Sequence, residues 1–411
     1  MNDIKKENLE VFDMDIAVDA VYADVCGSAP VSMGVSNMLQ ALFSTRQCAN
    51  PNANHALGVA LLERVERARG SIASLLNVDA DCLIFNSGSS EGCAQVFHGF
   101  FERYKHEQPL VLYSAIEHAC TLQNINRYGL EGLQAIAIGH QMNGLLDTEQ
   151  LEQLLRAHAG RPTLVCVMAV HNETGVIQPI EDIARRVKAG GGLLFSDMTQ
   201  AIGKIPVDLH ASGVDFAIAS GHKFGALPGA GFLYARSRYG LSPLIVGGGQ
   251  EGGLRGGTQN YPGILSIETA LQEKQHTYGT GKVAVQQSRE TFERTLQAML
   301  GEVVVIGQQA PRVPCVSFVA LPGVNTKKLQ WALNTQSIYV TGGSACSDKK
   351  LSLSNTVTQL GYPDRIAGAT VRISIDEAQC QFAYERILEG IAQALKLSST
   401  VPAAHTVTHV L

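Results

Sequence analysis

Val214-Asp215-Phe216-Ala217-Ile218-Ala219 runs directly into Ser220-Gly221-His222-Lys223. An apolar, strand-like run stops at small and polar groups, and a lysine stands at its mouth. A lysine in that position can present its amine to an aldehyde cofactor. The residues before it can donate hydrogen bonds to a phosphate. A Schiff base on Lys223 would make the protein a pyridoxal-phosphate enzyme.

Other runs of the same texture precede it: Cys82-Leu83-Ile84-Phe85, Leu110-Val111-Leu112-Tyr113, Thr163-Leu164-Val165-Cys166-Val167 and Leu193-Leu194-Phe195-Ser196. They are short and almost wholly apolar, as strands buried on both faces are. Helical patterns lie between them, including 61–68 and 180–187, the latter after Pro179. This alternation predicts an α/β fold: a large domain with a mostly parallel sheet sandwiched by helices. After residue 270 the texture changes. A long polar helix is expected over 264–300, strands over 302–306 and 314–320, and a helix over 326–335. Strands over 337–341 and 369–375 follow, and a last helix over 377–396. These predict a smaller α+β domain. The domains are expected at 31–270 (large) and at 1–30 with 271–411 (small), with a loose tail from Ser398.

The chain has 411 residues, 45% hydrophobic and 17% charged, with a formal net charge of −5. Two domains suit that length, and the composition is globular. No basic tract points to nucleic acid, and no apolar run approaches the ~20 residues of a membrane span. The N-terminus lacks a signal-peptide core. The expectation is a cytoplasmic protein without a membrane or nucleic-acid partner. The nine cysteines are scattered and include no Cys-x-x-Cys pair, so neither a metal site nor a disulfide framework is expected.

Four further motifs follow strand-like runs. Asn86-Ser87-Gly88-Ser89-Ser90-Glu91 opens a helical stretch, and its amides and hydroxyls (Ser89, Ser90) suit an anion; it also reads as a plain turn with a serine cap. Glu117-His118 follows the run 110–113. An imidazole there can lie on a pyridine ring, or His118 can be an ordinary satisfied histidine. Asn172-Glu173-Thr174-Gly175 can bring Asn172 to a cofactor or a substrate carboxylate, or simply turn the chain. Asp197 can pair with a pyridinium nitrogen or cap a helix, and Gln200 can donate to the ring's phenolic oxygen. Each is ambiguous alone. All sit at the carboxyl end of a strand, where open α/β sheets bind ligands.

In that order the motifs resemble fold-type I pyridoxal-phosphate transferases of the class V aminotransferase group, and within it the cysteine desulfurases. The resemblance spans about 22–395. It implies pyridoxal 5'-phosphate as cofactor, held by Ser89, Ser90, His118, Asn172, Asp197, Gln200, Ser220, His222 and Lys223. Gly247-Gly248-Gly249-Gln250-Glu251 and Leu254-Arg255-Gly256-Gly257-Thr258 resemble a glycine-rich segment whose Thr258 reaches the partner subunit's phosphate, implying a homodimer. Thr370-Val371-Arg372-Ile373-Ser374 resembles the carboxylate-binding strand, with Arg372 as a bidentate clamp and Asn172 beside it. Arg372 can alternatively make a plain ion pair. Gly342-Gly343-Ser344-Ala345-Cys346-Ser347 resembles the mobile catalytic loop, although a loop cysteine can also be ordinary.

The resemblance implies a catalytic set of Lys223, His118 and Cys346 acting on L-cysteine. Lys223 removes the α-proton. Cys346 takes the sulfur as a persulfide, alanine leaves, and the sulfur passes to an acceptor protein or thiol. Departures from the family pattern lie at 24–30, at His171 where asparagine is common, at Gly252, and after Cys346. They leave the acceptor open and admit a C–S or C–Se lyase or an aminotransferase as an alternative.

Overall fold

The computed structural model describes residues 19–44, 49–238, 240–277, 280–342, 353–377 and 380–396. Its strands are β1 (Val21–Tyr22), β2 (Leu83–Asn86), β3 (Leu110–Ser114), β4 (Gln134–Ile138), β5 (Thr163–Cys166), β6 (Leu193–Asp197), β7 (Phe216–Ser220), β8 (Gly231–Ala235), β9 (Val304–Val305), β10 (Val316–Ala320), β11 (Ile338–Tyr339) and β12 (Thr370–Ser374).

Seven of them form one sheet in the order β2-β8-β7-β6-β5-β3-β4. Pairings from β7 through β6, β5 and β3 to β4 are parallel, and only β8 runs against its neighbours. The apolar runs are uniform because both faces are covered. Leu110 and Leu112, Ala217 and Ala219 face a core shared with Val65 and Ile72 of the helix Ala56–Leu75 and Ile264 and Ile267 of the helix Tyr261–Thr277. The alternate residues Val111, Phe216 and Ile218 face Val96, Phe97 and Phe100 of the helix Ser89–Tyr104. Each such large side chain contributes about 1.5–3 kcal/mol on full burial.

The later part holds an antiparallel sheet, β12-β10-β9, and the parallel pair β1-β11. A separate core joins Val21 of β1 to Val319, Val371 and Ile373, under Ile387 and Ile391 of the helix Cys380–Ala394. The expected helix over 264–300 is two helices, Tyr261–Thr277 and Thr280–Leu300. The intervening sequence is Tyr278-Gly279, and glycine is about 1 kcal/mol worse than alanine in a helix. The tail from Ser398 lies outside the described residues.

The strand β1 and Asp24 belong with this later part: Asp24 bridges to Ser374 of β12. The chain then crosses to the large sheet, where the Ala29 amide donates to the His222 carbonyl at 2.8 Å. That crossover threads residues 24–29 between Arg372 and Lys223.

Candidate active site

The C-terminal ends of β2, β3, β5, β6 and β7 share one edge of the large sheet, and the predicted residues gather there. At the end of β2, Gly88 has φ 142°, a conformation open to glycine alone, and its amide donates to Asn86 Oδ1 at 2.9 Å. The bend starts the helix Ser89–Tyr104 directly in front of β7. The Ser89 amide donates to Ser220 Oγ at 2.7 Å, Ser220 Oγ donates to Ser89 Oγ at 3.0 Å, and Ser89 Oγ meets Thr199 Oγ1 at 2.5 Å. Three hydroxyls thus cluster at a helix N-terminus, where backbone amides and the helix dipole favour an anion. Asn86 Nδ2, near Gly92 of the same helix, is buried without a partner. Ser90 is exposed on the same first turn.

Asp197 ends β6 and is buried; its Oδ1 accepts from the Thr199 amide at 2.9 Å, closing a turn, and no helix follows for it to cap. Donor atoms of Asp197, His118 and Cys120 lie within 4.8 Å of one another. His118 caps the helix Ala119–Gly129, its Nδ1 accepting from the Cys120 amide at 3.2 Å. Its hydrogen bond with the Cys120 thiol raises its pKa against the effect of burial. Glu117 beneath it accepts from the Met168 amide at 2.6 Å, and burial, helped by the charge of Asp197, pushes its carboxyl up to about 8.

Lys223 follows β7 in a short 3-10 turn, Gly221–Lys223. Its Nζ donates to the carbonyls of Cys26 (2.9 Å) and Gly27 (2.6 Å) on the crossover. Burial, then the nearby Lys204 charge, lowers its pKa to about 8. Gln200 Nε2 also donates to the Cys26 carbonyl, at 3.0 Å, and its Oε1 accepts from Lys204. His222 Nδ1 contacts Ser28 Oγ at 3.1 Å; burial, then Lys223, lowers the imidazole to about 4 and keeps it neutral.

On β12, Arg372 is 2% exposed. It donates to Asp24 Oδ1 at 2.6 Å and to the Asn172 carbonyl at 2.9 Å, and its Nε is buried without a partner. Burial works against its charge, but the neighbouring Cys26 and Asp24 outweigh it and raise the pKa. The ion pair anticipated as the plain alternative is therefore present, with one donor left over. His171, in place of the common asparagine, does what an asparagine side chain does in a turn. Its Nδ1 accepts from the amides of Glu173 (3.2 Å) and Thr174 (3.1 Å).

The structure unites Ser89, Ser220, Asp197, His118, Gln200, His222, Lys223, Asn172 and Arg372 along one wall. Thr258 stands apart and exposed. Its segment is tied down at Glu251, whose carboxylate takes Arg69 at 2.8 Å and the Phe85 amide at 2.9 Å. Cys346 lies outside the described residues. Thr199, Lys204, Asp24 and the Cys26 carbonyl were not anticipated. Thr199 was within reach, lying between Asp197 and Gln200, and Lys204 follows Gln200 by four residues; Asp24 and the Cys26 carbonyl become neighbours of the site only through the crossover.

A half-buried lysine amine, a carboxylate and a hydroxyl cluster on the C-terminal edge of a mostly parallel sheet define a fold-type I transferase. The family model "Aminotransferase class-V" matches residues 21–382. The cysteine desulfurase IscS of Rickettsia bellii is 30% identical, over 92% of each chain. Of solved structures, a NifS-like protein matches with a TM-score of 0.84 at 29% identity, covering 92% of this chain and 99% of that one. A structure described as SspA in complex with cysteine matches with a TM-score of 0.76 at 27% identity, covering 86% and 98%. The chain belongs to the class V aminotransferase family, in its cysteine desulfurase branch.

Proposed function

We propose that this chain is a pyridoxal-phosphate-dependent cysteine desulfurase that converts L-cysteine to L-alanine and carries the sulfur as a persulfide on Cys346. The observation that carries the reading is Lys223: a half-buried amine, lowered to about 8, held at the strand end that also gathers Asp197 and the hydroxyl cluster.

The residues fit the cofactor. Ser89, Thr199 and Ser220, with the helix amides and the unpartnered Asn86 Nδ2, would hold its phosphate, with Ser90 at the rim. Asp197 would accept the pyridine N–H, and His118 would face the ring. Gln200 and His222 would complete the polar wall. Bound through Lys223, pyridoxal 5'-phosphate supplies an electron sink for a carbanion at the substrate's α-carbon.

Arg372 would take the substrate carboxylate, using its free Nε and giving up Asp24, with Asn172 beside it. Lys223, released from the carbonyls of Cys26 and Gly27, would remove the α-proton; a pKa near 8 leaves part of it neutral at physiological pH. The Cys346 thiolate would attack the substrate sulfur. An S–S bond forms, the C–S bond breaks, and its electron pair stays with the carbon skeleton that leaves as alanine. We read residues 31–270 as the unit that holds the cofactor, and 1–30 with 271–411 as the unit that brings Arg372 and Cys346. A homodimer suits the exposed Thr258 and the neighbouring exposed Ile245 and Val246.

The test is mass spectrometry of the holoenzyme after one turnover with cysteine and no reductant. A gain of one sulfur on the Cys346 peptide, with stoichiometric alanine, is expected. Pyruvate and ammonia instead would make the protein a lyase.

A further inference from the structure

The helix Thr280–Leu300 carries a buried arginine that the proposed reaction does not use. Arg289 is 4% exposed. Its Nη1 donates to the Val313 carbonyl at 2.7 Å. The other edge of the guanidinium, Nε with Nη2, makes no hydrogen bond among the described residues. Nε is buried without a partner and stands 3.9 Å from Glu293 Oε1, and Nη2 stands 3.6 Å from Glu290 Oε1. Both carboxylates are engaged elsewhere. Glu293 accepts from two Arg312 nitrogens, at 2.8 and 2.9 Å, and from the Ser317 hydroxyl at 2.9 Å. Glu290 is exposed and accepts from Gln286 Nε2 at 2.8 Å.

An open cavity of about 540 Å³ adjoins this edge. Three arginines line it, Arg289, Arg294 and Arg312, against two carboxylates, Glu290 and Glu293. Its size falls in the range of about 300–1,000 Å³ usual for small-molecule sites. Arg294 is exposed further along the helix, where its Nη2 donates to Thr291 Oγ1 at 3.2 Å. Burial, then the neighbouring Arg312, works against the Arg289 charge and lowers its pKa. A buried cation with unfilled donors is destabilising, and an anion that fills them relieves it.

We propose that this cavity binds a small organic dicarboxylate, with one carboxylate on the Nε–Nη2 edge of Arg289 and the other at Arg294. That edge presents two parallel N–H groups, which match the two oxygens of a carboxylate. The wall of the cavity also reaches the substrate side of the molecule. Pro311, whose carbonyl accepts from the Ile177 amide at 2.8 Å, and Arg312, which bridges to Val176, both line it. A ligand here therefore touches the segment that fastens the turn carrying Asn172. Binding does not depend on the reaction proposed above.

The test is isothermal titration calorimetry of the full-length holoenzyme with succinate, in a buffer free of other carboxylates and of phosphate. Arg372 also suits a carboxylate, so substitutions assign the site. Expected is saturable binding that Arg289→Lys weakens about tenfold, because lysine keeps the charge and loses the fork. Arg294→Ala should weaken it about threefold, and Glu290→Gln, which removes a nearby negative charge, should tighten it about threefold. Arg372→Lys should leave this binding unchanged. Should Arg289→Lys not fold, the variants at the exposed Arg294 and Glu290 carry the test. No saturable binding, binding indifferent to Arg294 and Glu290, or binding that follows Arg372 alone would overturn the proposal.

Discussion

The anion end of the site and the Arg372 end are built in opposite ways. At the anion end, Ser89, Thr199 and Ser220 bond to one another and to the backbone of adjacent strand ends. At the other end, Arg372 is held by Asp24 and the Asn172 carbonyl, residues far away in the chain, and keeps an unpartnered Nε. The first end is complete without a ligand apart from Asn86 Nδ2. The second has a stand-in carboxylate in place. A preformed cradle suits a group that stays; an exchangeable pair suits a group that comes and goes.

Four substitutions test this contrast, from the largest expected effect to the smallest. Lys223→Ala lies between the two ends and should lower alanine production by about 10³-fold, while equilibrium dialysis should still find cofactor bound through the hydroxyl cluster. Loss of cofactor together with activity would mean that the anion end is not self-sufficient. Arg372→Lys should lower kcat/KM for cysteine by about 10–100-fold, the scale of hydrogen bonds to a charged group, with cofactor affinity unchanged. A fall in cofactor affinity would erase the distinction between the ends. Ser220→Ala should do the reverse, raising the cofactor Kd about tenfold with little change in KM for cysteine at saturating cofactor.

The smallest effect concerns His171, whose turn carries Asn172 to Arg372. Burial lowers this imidazole to about 3, far below an unfolded histidine near 6.5. As pH falls below about 6.5 the unfolded chain takes up the proton first, so the residue's contribution to stability is full above that value and declines toward pH 3. His171→Asn keeps an acceptor for the turn but cannot titrate. The drop in urea midpoint between about pH 7 and about pH 5 should therefore shrink in the variant; an unchanged drop would place the acid sensitivity elsewhere.

The same contrast explains what was legible from the chain alone. Strands covered on both faces announce themselves as apolar runs, and the polar residues at their ends follow within a few positions. Ser89, His118, Asp197, Ser220 and Lys223 could therefore be read from local order. Thr199 sat inside a motif already noticed, and only its side-chain partner was hidden. Asp24 and Cys26 could not be read that way, because their neighbours are set by how residues 24–29 cross between the sheets; Lys204 bonds Gln200 locally, and only its approach to Cys26 depends on that crossing. The division of the 261–300 stretch into two helices follows Gly279 in the sequence more closely than the hydrophobic pattern did.

The Asp24–Arg372 pair has a consequence for discrimination among amines. In the proposed reaction an incoming amino acid would trade one carboxylate for another, so Arg372 would never be stripped bare in a dry pocket. A decarboxylated amine has nothing to trade: the aspartate stays, and the ligand must fit around an intact internal lock. On the proposed function, selectivity for amino acids over simple amines would thus rest as much on the residue that is displaced as on the arginine that remains.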